Sequence, residues 1–239
     1  MRCVRSLVLL GATALGLVAA VGSGSAAPLG RATAGASPTV TCKYPPDTLG
    51  PPSSAHAPPA KAETGMPLYA TLVTNQGTIV LELDAAAAPC TVNSFVSLAK
   101  QGYYDNSPCH RLIDLSARNS TFGALQCGDP TGTGRGGPGY TFADENLAGA
   151  RYAKGVIAMA NRGANTNGSQ FFMMFKNSDF APNYTPFGHI RFGVEVLEKI
   201  AAGGTSTTPL TPTSEVPRTK VTIEKITVSA DKPSRPAQE

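Results

Sequence analysis

Four sets of residues in this chain have types and spacings that could do chemistry. The run Gly132-Thr133-Gly134-Arg135-Gly136-Gly137 spells a G-x-G-x-x-G loop, which cradles a phosphate only between a preceding strand and a following helix N-terminus. Here Pro138, Gly139 and Tyr140 follow without helical pattern, so no nucleotide site is expected. The histidines, His56, His110 and His189, are widely separated in different contexts and form no ligand cluster, so no metal is expected. Cys109 adjoins His110, but strand neighbours point to opposite faces and cannot share a proton, and no serine sits on a strand-turn-helix elbow. The fourth set is Met159 to Phe172. Its Asn165, Thr166, Asn167 and Gly168 are turn formers with local hydrogen-bonding side chains. A turn alone leaves unexplained the apolar run Phe171-Phe172-Met173-Met174 beside an arginine, Arg111, in a neighbouring strand pattern. An apolar floor with a few fixed polar groups is the composition of a ligand pocket.

The elements that must hold these residues read as short strands. Leu68 to Thr74 and Thr78 to Leu83 flank Asn75-Gln76-Gly77, a hairpin signature. Further strand-like runs are Cys109 to Ile113, Phe122 to Cys127, Val156 to Met159, Gln170 to Phe175, Phe187 to Phe192 and Val221 to Val228. Pro89 followed by Val92, Phe95, Val96 and Ala99, with Gly102 beyond, predicts one amphipathic helix. A second helix fits Glu195 to Ala201. Eight strands with one early and one late helix do not suit a parallel sheet, which needs a crossover helix between nearly every strand pair. The expected fold is mainly β: a closed eight-stranded antiparallel barrel capped by two α-helices, spanning residues 67–229.

Outside that domain the composition changes. Residues 1–27 join a basic start, Arg2 and Arg5, to an apolar run from Leu7 to Val21 and a small-residue end, Ser25-Ala26-Ala27. That is the pattern of a cleaved secretory signal; the alternative is a retained anchor, the run approaching the roughly 17 residues that span a bilayer. Either way the remainder is exported, to be secreted or held at the cell surface, and membrane contact requires that residues 1–27 stay attached. Eight of the twenty prolines fall between Pro28 and Gly65, so residues 28–66 read as a semi-stiff tether. Residues 230–239 read as a frayed tail. Without the leader, 18 basic residues face 16 acidic ones, too small an excess to argue for nucleic acid. Four cysteines also remain, Cys42, Cys90, Cys109 and Cys127. In an oxidising compartment two disulfides are plausible, and three pairings are open.

The segment Met159-Ala160-Asn161-Arg162-Gly163-Ala164-Asn165-Thr166-Asn167-Gly168-Ser169-Gln170-Phe171-Phe172 closely resembles the cyclophilin family's M-A-N-x-G-x-N-T-N-G-S-Q-F-F. Supporting matches are His110-Arg111, Gln126-Cys127-Gly128-Asp129, Phe142-Ala143-Asp144-Glu145-Asn146 and Phe187-Gly188. The resemblance covers essentially Pro67 to Ser229 and implies a cofactor-free peptidyl-prolyl cis/trans isomerase, a monomer acting on proline-containing polypeptides. It implies Arg111 as the central catalytic side chain with Gln126 beside it. Phe172 would be the floor for the proline ring, with Ala160, Asn161, Gln126 and Gln170 on the substrate backbone and on Arg111. Gly132 and Thr133 would border the adjoining groove. It also makes the strands bearing Arg111 and Gln126 paired neighbours, which implies a Cys109–Cys127 disulfide bracing Arg111 and leaves Cys42 for Cys90.

Three departures from the familiar eukaryotic pattern bear on the pocket. Phe180 stands where many members carry tryptophan, and Tyr184 where they carry histidine. The link from arginine to glutamine is expanded by Asp114 to Thr121, so Phe122 and Ala124 are the candidates for that wall. Activity with altered affinity for cyclosporin-type inhibitors is expected. The competing class is a non-catalytic chaperone or scaffold that binds proline segments, against which the retained Arg111 argues.

Overall fold

In the computed structural model the described residues are 38–65, 67–114, 122–208 and 211–236. They belong to one compact unit, Ala36–Glu239; the leader at 1–27 and most of the expanded segment after Asp114 lie outside them. Two short strands come first, β1 (Thr39–Thr41) and β2 (Lys61–Glu63), then β3 (Leu68–Thr74), β4 (Gly77–Leu83), helix α1 (Pro89–Lys100), β5 (Ser107–Pro108), β6 (Arg111–Asp114) and β7 (Gly123–Cys127). After these come β8 (Val156–Met159), β9 (Phe171–Met174), β10 (Pro186–Phe192), helix α2 (Val194–Ala202), β11 (Thr205–Thr208), β12 (Thr211–Pro217) and β13 (Thr222–Ser229). Among the described residues no helix is long and apolar enough to cross a membrane.

The hairpin β3–β4 forms where the alternation predicts it, Thr74 pairing Gly77 across the turn. Its inward residues Ala70, Leu72, Ile79, Leu81 and Leu83 are buried. Helix α1 begins at its proline, whose missing N–H would have had no helical partner. The first-turn amides of Cys90 and Thr91, which have no helical acceptor, donate to the Glu145 carboxylate at 3.0 and 2.8 Å, a cap supplied from far along the chain. The helix buries Val92, Phe95, Leu98 and Ala99. Phe95 lies with its ring 5.3 to 5.5 Å from Tyr104, Phe171 and Phe187, so the core joins α1 to β9 and β10.

The expectation of a closed eight-stranded barrel needs correction. The sheet is a curled, open ladder of nine antiparallel strands in the order β5-β13-β3-β4-β10-β8-β9-β7-β6. The expected strand from Cys109 to Ile113 is broken: Ser107 and Pro108 pair with β13, whereas Arg111 to Asp114 pair with β7. Pro108 has no N–H to extend a ladder, and Cys109, which still donates to Val221 at 3.0 Å, is bonded across to Cys127. The two ends of the sheet are therefore successive pieces of one segment, separated by Cys109 and His110.

Residues 38–65 lie on this body and are stapled to it. Cys42 is disulfide-bonded to Cys90 at the start of α1. The Tyr44 ring meets Tyr140 and Phe142 edge-on at 5.5 and 5.8 Å, and its hydroxyl donates to the Cys90 carbonyl at 2.8 Å. Burial pushes that phenol up to about 12. Proline-rich composition conceals this packing because it rests on tertiary contacts and has no helical or strand period. The hairpin β11–β12 escapes a sequence reading for a similar reason, being a threonine- and proline-rich stretch without apolar alternation.

Candidate active site

The register of four adjoining strands sets the site. Arg111 on β6 pairs with Gln126 on β7, Gln126 with Phe172 on β9, and Phe172 with Ala158 on β8. Directly opposed residues share a face. Arg111, Gln126, Phe172 and Ala158 thus form one row across the sheet, with Arg111 and Phe172 two strand spacings apart, roughly 10 Å. Their strand neighbours Leu112, Leu125, Phe171, Met173 and Ile157 face the main core. The wholly apolar β9 is explained by this, since both its faces are covered: Phe172 and Met174 belong to a second apolar cluster with Ala124, Tyr152 and Ala158.

Polar side chains above the row form a chain of hydrogen bonds. Arg111 Nη1 donates to Gln126 Oε1 at 3.5 Å, Gln126 Nε2 to Gln170 Oε1 at 2.8 Å, and Gln170 Nε2 to the Gly136 carbonyl at 2.8 Å. Each glutamine is thereby fixed at both ends. Arg111 is additionally paired through Nε with Glu215 of β12. The disulfide Cys109–Cys127 braces the same place, ending two residues from Arg111 and one from Gln126. A surface cavity of about 250 Å3 opens here, bounded by Arg111, Gln126, Gln170, Ala160, Asn161 and the Gly134 to Pro138 run.

Beside the cavity stands the aromatic cluster. Phe172 is buried and meets Tyr184 edge-on at 5.4 Å; Phe180 stacks on Tyr152 at 4.0 Å and meets Phe122 at 5.0 Å. Tyr152 is fixed by two bonds to the Tyr184 backbone, donating to its carbonyl at 2.8 Å and accepting from its amide at 3.0 Å. Phe122, Phe180 and Tyr184 are half-buried, which leaves apolar surface facing solvent.

The structure thus gathers Arg111, Gln126, Gln170, Ala160 and Asn161 around the cavity, and Phe122, Ala124, Phe172, Phe180 and Tyr184 in the adjoining cluster. Gly134 to Pro138 form one wall of the cavity, and Gly132 and Thr133, expected beside the adjoining groove, come just before that wall in the same loop. The glycine-rich loop is wound around Asp129. Its carboxylate accepts from the amides of Thr131, Gly134 and Gly136 at 2.8, 2.7 and 3.0 Å. Burial would raise this carboxyl, but those amides and the Thr131 hydroxyl outweigh it and hold it below its usual range. A Cβ at Gly136 would collide with the Asp129 carboxylate. Amides of the G-x-G-x-x-G run thus face an internal carboxylate, that of Asp129.

Three neighbours of the site go unnoticed in the sequence. Asp47, from the segment preceding β2, pairs with Arg162 at the cavity's far side. Burial opposes ionisation of Asp47, yet the Leu49 amide and the Arg162 guanidinium hold its carboxyl below the usual range. Tyr152 and Glu215 are the others, placed by long-range contacts that carry no local signal. Burial is the main influence on His110, pushing its imidazole below the usual range, with Asp129 opposing and Arg111 assisting. Among the described residues no group of His, Cys, Asp and Glu is arranged to hold a metal.

Comparison with known proteins bears on this geometry. The family model "Cyclophilin type peptidyl-prolyl cis-trans isomerase/CLD" matches residues 69–228. A probable peptidyl-prolyl cis-trans isomerase B of Mycobacterium leprae is 41% identical over 206 residues, 78% of this chain and 66% of the relative. Its Mycobacterium tuberculosis namesake is 43% identical over 182 residues, 68% of this chain and 56% of the relative. The chain thus spans about three fifths of the length of these curated relatives. A solved cyclophilin-type isomerase of Cryptosporidium parvum is 30% identical with TM-score 0.59, covering 70% of this chain and 99% of its own. A second structure of that protein was obtained in the presence of the dipeptide Ala-Pro.

Proposed function

The chain belongs to the cyclophilin-type peptidyl-prolyl cis-trans isomerase family, and on that footing we propose that it accelerates rotation about X-Pro bonds in exported polypeptides. The observation that carries the reading is the row Arg111, Gln126, Phe172, with a cavity beside the first two and an aromatic cluster around the third.

An X-Pro amide isomerises over tens to hundreds of seconds because rotation must break its partial double bond. Midway the proline nitrogen is pyramidal with a free lone pair and the carbonyl has lost conjugation. A donor aimed there binds the twisted amide better than either planar form, and only such differential binding speeds the step. Arg111 supplies that donor, its fork held by Gln126 on one nitrogen. Phe172, with Phe180, Tyr184 and Phe122 around it, receives the ring; burying an apolar ring of this size is worth roughly 1.5–3 kcal/mol. Gln170, Asn161 and Ala160 face the backbone that precedes the proline. The reaction needs no covalent step and no cofactor, and the Ala-Pro dipeptide in whose presence the Cryptosporidium protein was solved supports proline-containing peptides as the substrate class.

Export rests on the leader pattern at 1–27, and the two disulfides support an oxidising compartment. Residues 67–229 are the isomerase domain, with 28–66 leading into it and 230–239 as a tail. Phe180 offers no indole N–H, so cyclosporin binding weaker than in tryptophan-containing members is expected; a titration finding equal affinity contradicts this.

Exchange NMR of an Ala-Pro peptide tests the main proposal. Catalytic amounts of the protein should broaden and merge the cis and trans signals; a peptide that binds without faster exchange would make the protein a proline-binding chaperone or scaffold.

A further inference from the structure

The hairpin β11–β12 reaches the site from between α2 and β13. Its base is fastened: Arg218 N donates to the Gly204 carbonyl at 2.9 Å, Arg218 Nη2 to the Thr205 carbonyl at 3.3 Å, and Thr205 pairs with Pro217. From this base, β12 lies beside β6 and sets the Glu215 carboxylate on Arg111 Nε, while Gln126 takes Nη1. Two acceptors on two different nitrogens of a planar fork define its orientation, and they leave Nη2 and the second Nη1 hydrogen for a substrate. The Arg111 side chain is 46% exposed, so packing alone does not fix its rotamer.

We propose that Glu215 is a positioning residue, a carboxylate carried by the hairpin that holds the Arg111 guanidinium aimed along the row toward Phe172. This rests on Arg111 acting as the donor in the proposed isomerisation. An exposed ion pair adds little to stability, so a hairpin residue with a purely structural role would show no selective effect on turnover. Pre-aiming acts on the rate, because a donor that must first be oriented forfeits part of its advantage.

The test is steady-state isomerisation of an X-Pro peptide by wild type, Glu215→Gln, Glu215→Ala, Arg111→Ala and the double variant Arg111→Ala/Glu215→Ala, with melting curves for each. Glu215→Ala should lower kcat/KM about five- to tenfold through kcat, at unchanged KM and melting midpoint. Glu215→Gln, whose amide oxygen still accepts from Nε, should lose less. In the Arg111→Ala background the Glu215 change should cost nothing further. The inference is overturned if Glu215→Ala matches or exceeds wild type, or if its loss persists without the arginine. If Arg111→Ala itself retains wild-type activity, the isomerase mechanism above fails and Glu215 loses its role with it; an Arg111→Ala loss with an inert Glu215 removes this inference alone.

Discussion

The two faces of the β8-β9-β7-β6 sheet are built from alternate residues of the same strands and yet behave as different materials. On one face Leu112, Leu125, Phe171, Met173 and Ile157 disappear into the core with Phe95 of α1. On the other, Arg111, Gln126 and Phe172 sit in a row whose polar end borders a cavity and whose apolar end is only half roofed by aromatic rings. One residue of displacement along a strand separates stability from chemistry. The core face supplies a rigid platform, and the opposite face can then hold exposed polar groups in fixed geometry.

The comparison is broken most forcefully from the core side. Phe95→Ala should cost about 3–5 kcal/mol of stability, read as a lower urea midpoint, while the activity of the molecules that remain folded stays near wild type. A large drop in activity per folded molecule would mean that the faces are not separable. Removing the Cys42–Cys90 staple by Cys42→Ser should cost about 2–4 kcal/mol, again without a change in kcat/KM, since this bond lies at α1 and away from the row.

A smaller effect sharpens the boundary between faces. Asp129 is buried under the cavity loop with its carboxyl held below the usual range, so its contribution is complete above the ordinary carboxylate pKa and disappears as pH falls through the lowered folded value. Asp129→Asn should therefore lose about 1–3 kcal/mol at neutral pH and show a shallower acid decline below about pH 4 than wild type. Its kcat/KM should fall as the Gly134 to Gly137 wall loosens. Equal acid profiles for the two proteins would contradict the role given to those amides.

Much of the core face was legible in the sequence because its packing has a period: Leu68 to Thr74 and Thr78 to Leu83 alternate, and Val92, Phe95 and Ala99 recur at helical spacing. The candidate site was named through the family resemblance, the motif giving Gln170 and Phe172 and the flanking matches Arg111 and Gln126, side chains that the strand register and hydrogen bonds bring near one another. What stayed hidden depends on contacts without a local pattern. The break between β5 and β6 turns on a proline and a disulfide, and the segment carrying Tyr44 and Asp47 packs through tertiary contacts despite its prolines. Glu215 lies in a hairpin without apolar alternation. The winding of the glycine-rich loop around Asp129 was hidden too, since it is visible only once the amides are seen pointing at that carboxylate.

The most direct measurement of the central claim is kcat/KM for Arg111→Ala on an Ala-Pro peptide, taken beside its melting midpoint. Loss of a donor aimed at a transition state predicts a fall of about a hundredfold or more with the midpoint unmoved. Wild-type turnover, or a loss that merely tracks unfolding, would contradict the account.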